Sequence, residues 1–149
     1  MSIRWQAKPF QALTLIELHD VLRLREDIFV VEQRCVYHEI DGRDPDCLHL
    51  LGHDAGLLVA VARIVPPGDD GLPHIGRVAV RAEHRGRGLA QELMDLALRT
   101  LLAERGSRRA ALAAQAHLQR FYAEYGFEAI GEEYLWDGIP HVDMRRTED

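Results

Sequence analysis

The stretch HRGRGLAQELM, residues 84–94, combines residue types that suit the binding of an anion. Gly86 and Gly88 have no Cβ, so an oxyanion can approach the backbone closely, and Arg85 and Arg87 add positive charge beside them. The apolar residues that follow recur at helical spacing, so the loop leads into a helix. The first turn of a helix presents unpaired N–H groups and the positive end of its dipole. The stretch therefore predicts a phosphate site, with an unoccupied strand-to-helix turn as the alternative.

Three familiar ways of binding phosphate do not fit this loop. No Gly-Lys-Ser/Thr follows the glycines, which excludes a P-loop, and the dinucleotide pattern Gly-x-Gly-x-x-Gly is absent. An RNA-binding Arg-Gly segment would be repeated, whereas this one runs directly into an amphipathic helix. A phosphate bound here belongs to some other class of ligand.

The elements before the loop can be predicted from spacing and from turn residues. Thr14 and Glu17 have the spacing of a capping box, which predicts the start of a first helix. Two apolar runs, 47–53 and 57–65, enclose a short loop that contains glycine and predict a β-hairpin. The alternating segment 74–80 predicts the strand that leads into the glycine-rich loop.

The elements after the loop follow the same logic. A long helix begins at Leu89 and is expected to end at Gly106. Segment 108–115 predicts a buried strand, and the aromatic stripe that follows predicts a helix that Gly126 ends. The last segment predicts two strands around Asp137. The order indicates a mixed α/β (α+β) fold, and we expect residues 1–149 to form a single domain.

Composition narrows the class of protein. The chain has 149 residues, is 47% hydrophobic and carries a formal net charge of −6. The acidic balance argues against nucleic acid as a partner, and no apolar run has the length of a membrane helix. The N-terminus lacks the apolar block of a signal peptide, so we expect a cytoplasmic protein without a membrane partner. Cys35 and Cys47 lack metal-ligand spacing, so we expect buried free thiols and no metal.

Two blocks of the sequence resemble the GNAT family of N-acetyltransferases. The block RVAVRAEHRGRGLAQELM is similar to the family's acetyl-CoA-binding motif, Arg/Gln-x-x-Gly-x-Gly/Ala. The block QAHLQRFYAEYGFEAIGE resembles the family's closing helix and its Tyr-x-x-x-Gly-Phe ending. The positions that fill the two motifs are Arg85, Gly88 and Ala90 in the first, and Tyr122, Gly126 and Phe127 in the second. The two blocks stand in the family's order, and together they are far more specific than either one alone.

Further segments resemble the ElaA-like subgroup of this family, so the resemblance covers nearly the whole chain. Ala82 and Gln115 depart from the general pattern, because many members have proline and asparagine there. The resemblance implies a GNAT acyl-CoA N-acyltransferase fold in which CoA lies between two splayed strands. The strand that carries Val78, Ala79 and Val80 is expected to bind CoA through its main-chain groups. The residues implied in binding acetyl-CoA are Val78, Ala79, Val80, Arg85, Gly86, Arg87, Gly88, Leu89, Ala90 and Gln115.

The resemblance also implies a reaction, the transfer of an acetyl group from acetyl-CoA to a primary amine by direct attack. Tyr122 takes the position of the family's tyrosine, and a phenol can protonate the leaving thiolate. The general base is open among Glu32, His117 and His141, or a water chain. A non-catalytic acyl-CoA-binding or regulatory module is the alternative function.

The sequence defines the acetyl acceptor less closely than it defines the cofactor. The acceptor could be a small-molecule or a peptide amine, and Glu39, Asp41 and Asp44 either line an acidic approach for it or form a solvated loop. The oligomeric state is open, with a homodimer as one outcome, because exposed sheet edges often pair.

Overall fold

The computed structural model describes residues 2–148 and contains one seven-stranded mixed sheet, in the order β1-β2-β3-β4-β5-β7-β6. The strands are β1 (Ile3–Pro9), β2 (Leu48–Asp54), β3 (Leu57–Val65), β4 (His74–Val80), β5 (Ala110–Gln115), β6 (Glu128–Trp136) and β7 (Ile139–Arg146). The α-helices are α1 (Leu15–Arg25), α2 (Leu89–Arg105) and α3 (Gln119–Ala123), and a π-helical segment, Glu26–Glu32, continues α1.

One junction of the sheet differs from all the others. Neighbouring strands pair antiparallel except β4 and β5, which are parallel and share a single pair, His74 with Ala111. Beyond that pair the two strands diverge toward their C-terminal ends. The sheet is therefore open at its centre, between the end of β4 and the end of β5.

The two faces of the sheet are covered by different helices. Leu50 and Ala60 pack with α2 and α3, whereas their neighbours Leu51 and Val61 pack with α1. Successive residues of a strand point to opposite faces, so α1 lies on one face, and α2 and α3 lie on the other. The gap between β4 and β5 thus lies between two packed layers.

The structure confirms most of the predicted elements. The capping box is present, since the Glu17 amide donates to Thr14 Oγ1 and the Thr14 amide donates to Glu17 Oε1. Gly106 ends α2 in the left-handed conformation, with φ +69°. Strands β2 to β7 lie where the patterns predict them, within one or two residues.

The predicted order was wrong at its beginning, because it starts with a helix where the structure has β1. This edge strand, IRWQAKP, has no alternation of apolar and polar residues, since Gln6 and Lys8 are half-buried beside Trp5. The Lys8 ammonium is neutralised by Glu17, which allows a charged residue on the inner side of the strand. Period-two reasoning cannot detect a strand of this kind.

The end of the first helix is also settled by the structure. The chain does not leave the helix at residue 25 but continues to Glu32 in π-helical form, with the Gln33 amide donating to the Ile28 carbonyl. None of the helices in residues 2–148 is long and apolar enough to cross a membrane.

Candidate active site

A β-bulge in β4 opens the sheet. Val61 pairs with Ala79 and Arg63 pairs with Gly76, so β4 contains one residue more than β3 between these pairs. Arg77 lies in the bulge with φ +52°, a conformation that is strained for a residue with a Cβ. A bulge bends and twists the strand that carries it. It turns the second half of β4 away from β5.

A cavity of about 850 Å³ occupies this opening. It extends from the glycine-rich loop, past the end of β4, to the hairpin of β6 and β7. Apart from Arg87, which is exposed on the same loop, all residues that the sequence predicts for the site line this cavity. The loop, the splayed strands and α3 thus contribute to a single cleft.

The glycine-rich loop forms a backbone cradle at one end of the cavity. Gly86 and Gly88 have φ values of +75° and +79°, and Gly88 is the N-cap residue of α2. A Cβ placed on Gly86 would meet no atom within 4 Å, and one on Gly88 would meet only Gln91 Oε1, at 3.9 Å. The space above the two glycines is therefore open, beside the first turn of a 17-residue helix. These features fit the pyrophosphate of an acyl-CoA, held by backbone N–H groups.

Two of the predicted site residues form an ion pair with each other. Arg85 Nη1 lies 2.9 Å from Glu32 Oε2, and Arg85 Nη2 lies 3.0 Å from Glu32 Oε1. Arg85 Nε also donates to the Val80 carbonyl. The guanidinium thus joins the π-helical segment to the end of β4, and both oxygens of the Glu32 carboxylate are engaged.

Tyr122 lies in the wall of the cavity and is only 7% exposed. Its ring makes edge-on contacts with Phe121 and Phe127, at centroid distances of 5.0 and 6.4 Å. Burial raises the pKa of Tyr122 to about 12. The aromatic stripe therefore serves packing, and Tyr122, its first tyrosine, also lines the cavity as a protonated phenol.

Two histidines lie near Gln115, the residue at the C-terminal end of β5. His117 is exposed in the short 3-10 turn Ala116–Leu118, and His141 is half-buried on β7 as the cross-strand partner of Gln115. All three side chains line the cavity. The structure thus brings the candidate bases His117 and His141 into the same cleft as Tyr122.

The acidic loop does not form the acidic approach considered for a cationic acceptor. Glu39 and Asp44 are buried, and Arg25 lies 2.6 Å from Glu39 Oε2 and 2.8 Å from Asp44 Oδ1. Arg63 pairs with Asp41 and Asp44, and Arg77 pairs with Glu39 and Asp41. We call these six residues the ion cluster. Because its carboxylates are neutralised by arginines, the prediction of an acidic approach was wrong, and so was that of a solvated loop.

The ion cluster also supports the bulge. Arg77 Nε lies 2.8 Å from Glu39 Oε2, and its guanidinium carbon lies 5.7 Å from the centre of the Tyr37 ring. The Tyr37 hydroxyl donates to Glu39 Oε1, and burial together with this carboxylate raises the pKa of Tyr37. The strained residue of β4 is thus held in place by contacts of its side chain.

Sequence reasoning missed the aromatic and charged residues that line the far end of the cavity. Tyr37 and Arg77 are among them, together with Phe29 and Trp136. They come from four separate segments, and no local spacing relates them. Both cysteines are free and buried as predicted. Cys35 Sγ lies 3.6 Å from the Asp137 carbonyl oxygen, so the loop that precedes β2 contacts the hairpin of β6 and β7. Residues 2–148 contain no cluster of three metal-ligating side chains.

Comparison with known proteins relates the chain to one family. The family described as "Acetyltransferase (GNAT) domain" matches residues 25–148. Protein ElaA of Escherichia coli K12 is 44% identical over 147 residues, which is 97% of this chain and 96% of that protein. The crystal structure of Escherichia coli ElaA superposes with a TM-score of 0.91 at 42% identity, covering 98% of this chain and 100% of that chain. An acyl-CoA N-acyltransferase from Pseudomonas aeruginosa gives 0.93 at 44% identity, with the same coverage.

Proposed function

Because the chain belongs to the GNAT family of acetyltransferases, we propose that it transfers an acetyl group from acetyl-CoA to a primary amine by direct attack. The observation that carries the proposal is the continuity of one cavity from the glycine cradle to the candidate acid and bases. A ligand with a phosphate at one end and a reactive group at the other has the shape that this cavity accepts.

The binding of acetyl-CoA is assigned to backbone groups more than to side chains. Gly86, Gly88 and the first turn of α2 would hold the pyrophosphate, with Arg87 contributing chiefly its amide. Among residues 2–148, none pairs with Val78, Ala79 or Val80 on the β5 side of β4. Amide groups of an extended ligand can pair there as a further strand would. Gln115 and Ala90 also line the cavity.

The chemistry requires three functions from the protein. The ammonium must lose a proton before its nitrogen can attack, and the developing oxyanion needs a hydrogen-bond donor. We assign that donor to a main-chain N–H group of β4. Tyr122 donates its phenolic proton to the departing sulfur, for which its raised pKa of about 12 keeps it protonated at neutral pH. No covalent enzyme intermediate is needed, since neither cysteine belongs to a nucleophile motif.

Binding can be tested first and separately from catalysis. Thermal melting with acetyl-CoA at 100 times its Kd should raise Tm by about 5–10 °C, because about 2.7 kcal/mol is added to a domain of this size. ADP at the same concentration is the control for anion binding alone. An absence of any shift with acetyl-CoA would contradict the proposal.

Transfer is then measured as release of the CoA thiol with a panel of amines: an alkyl diamine, an arylalkylamine, a lysine-containing peptide and a peptide with a free N-terminus. We expect at least one of them to give product of the mass of the N-acetyl derivative. Binding of acetyl-CoA without transfer to any amine would instead support the regulatory, non-catalytic module.

A further inference from the structure

His141 lines the cavity and has the features of a general base. It lies on β7 opposite Gln115, the last residue of β5, where β4 and β5 have already separated. We infer that His141 is the general base that takes the proton from the acceptor amine. This inference rests on the proposed N-acetyltransferase activity and adds to it the residue that activates the nucleophile.

The tautomer of His141 is set by its own backbone. Nδ1 lies 2.7 Å from the Ile139 carbonyl oxygen, which can only accept a hydrogen bond. Nδ1 must therefore carry the proton in the neutral ring, and the lone pair stands on Nε2. The same carbonyl stabilises the imidazolium that forms when Nε2 is protonated.

The lone pair of Nε2 is available to a ligand. In the part of the chain that the structure describes, Nε2 makes no hydrogen bond, and it is not one of the buried side-chain atoms that lack a partner. The ring is half-buried and lines the cavity. An acceptor amine in the cavity can therefore reach this nitrogen.

The ring of His141 is also held in place. It stacks on Tyr134 at a centroid distance of 6.2 Å with an interplanar angle of 26°, and it contacts Trp136 at 5.4 Å. The Tyr134 hydroxyl donates to Asp143, which fixes that ring in turn. A base whose position is fixed by packing loses little entropy on reaching the reactive geometry.

The other candidate bases are engaged or unsupported. Both oxygens of Glu32 bind Arg85, and His84 Nε2 lies 3.1 Å from Asp54. His74 pairs with Asp70 and lies at the end of β4 that still contacts β5. His117 lines the cavity but is exposed, and within residues 2–148 no hydrogen bond orients its ring. His141 alone combines a set tautomer, a packed ring and an open nitrogen among these residues.

The proton balance of the reaction is complete with His141 and Tyr122. Nε2 takes one proton from the ammonium, and the freed lone pair forms the C–N bond with the thioester carbon while the C–S bond breaks. Tyr122 gives its proton to the departing sulfur and regains one, through solvent, from the acylated nitrogen. The imidazolium of His141 releases its proton to solvent, so one ammonium and one thioester give one amide, one thiol and one proton.

The test uses His141→Asn, with His19→Asn as its matched control, because His19 is exposed on α1 and does not line the cavity. The side-chain amide of asparagine can still donate a hydrogen bond to the Ile139 carbonyl, but it has no basic nitrogen. With acetyl-CoA and the panel amine that the wild type acetylates fastest, we expect His141→Asn to lower kcat/KM at pH 7 by about 100-fold. We expect His19→Asn to stay within about threefold of the wild type, and the Kd of acetyl-CoA and Tm to be retained in both variants. The deficit should narrow toward pH 10, where the amine loses its proton without help.

Other results would overturn the inference. If His141→Asn binds acetyl-CoA and acetylates the amine as fast as the wild type, another group is the base. If His141→Asn fails to fold, His141→Gln and long-range ¹H–¹⁵N spectra of the wild-type histidines replace it, and a neutral His141 with its proton on Nε2 would refute the assignment. A wild type that binds acetyl-CoA and acetylates no amine would instead refute the proposed function, and the role of His141 with it.

Discussion

Tyr122 combines a packing role with the proposed role of general acid. Its ring packs between Phe121 and Phe127 as a core residue, and the residue also lines the cavity. The position of this tyrosine could be predicted from the sequence, because the Tyr-x-x-x-Gly-Phe spacing marks it and the aromatic stripe places it on the inner face of a helix. The ion pair of Glu32 and Arg85 could not, since 53 residues separate its members.

Removal of the Tyr122 hydroxyl should separate the two roles. Phenylalanine keeps the ring contacts, so we expect Tyr122→Phe to retain Tm and the Kd of acetyl-CoA, while kcat falls by about 100-fold because the leaving sulfur loses its proton donor. Steady-state kinetics with the best panel amine measure this. Tyr125→Phe is the matched control, since that hydroxyl donates to the Gln91 carbonyl and Tyr125 is not among the described residues that line the cavity.

The pH dependence gives a second check on the same residue. Burial raises the pKa of Tyr122 to about 12, so the acid form persists below that pH. Wild-type kcat should therefore show no decline between pH 8 and pH 10 from loss of this proton. Unchanged kcat in Tyr122→Phe would exclude the assignment of Tyr122 as the acid.

At the scale of elements, strands and helices could be predicted, but the irregularities that build the site could not. Segment 74–80 alternates as a strand should, and it is β4. The side chain of its bulge residue, Arg77, pairs with Glu39, which belongs to a loop nearly 40 residues earlier in the chain. The π-helical continuation of α1, which carries Glu32 to Arg85, has no local sequence pattern either. Both features depend on contacts between distant segments, which local periodicity does not contain.

The two ends of α2 offer a test of the glycine cradle. Gly88 and Gly106 both adopt positive φ, +79° and +69°, and about 25 Å of helix separates them. Alanine at either position should cost roughly 1 kcal/mol of unfolding free energy, because the left-handed conformation is strained with a Cβ. Only Gly88→Ala places that Cβ in the cradle, so only this variant should weaken acetyl-CoA binding, by about tenfold or more in Kd.

Calorimetric titration with acetyl-CoA and urea unfolding of both variants measure these two effects. Gly106→Ala measures the effect of backbone strain alone on stability and on affinity, since its Cβ would meet no atom within 4 Å. Equal losses of affinity in Gly88→Ala and Gly106→Ala would mean that binding follows the stability of α2, and the cradle would then have no direct role.

At the scale of the whole molecule, the ion cluster connects the layers around the cavity. Arg25 belongs to α1, Arg63 to β3 and Arg77 to β4, and the carboxylates come from the loop that precedes β2. The loop is acidic in the sequence, but its charges are used inside the protein and neutralised there. Composition alone cannot show this, because the three arginines are distant from the loop in sequence.

Asp44 is the carboxylate that α1 and β3 share, and this makes it the sharpest test of the cluster. Burial alone would raise the pKa of Asp44, but hydrogen bonds and charge from Arg25 and Arg63 lower it overall. Its stabilising effect is therefore complete at neutral pH and declines as the pH falls below the ordinary aspartate range, near 4.

Urea unfolding at pH 7 should show Asp44→Asn destabilised by about 3–5 kcal/mol, since two buried guanidinium groups lose a partner. Asp70→Asn, at the exposed pair with His74, should lose less than about 1 kcal/mol. The difference between wild type and Asp44→Asn should shrink at pH 3, and a difference that stays constant from pH 7 to pH 3 would show that Asp44 does not act through its charge.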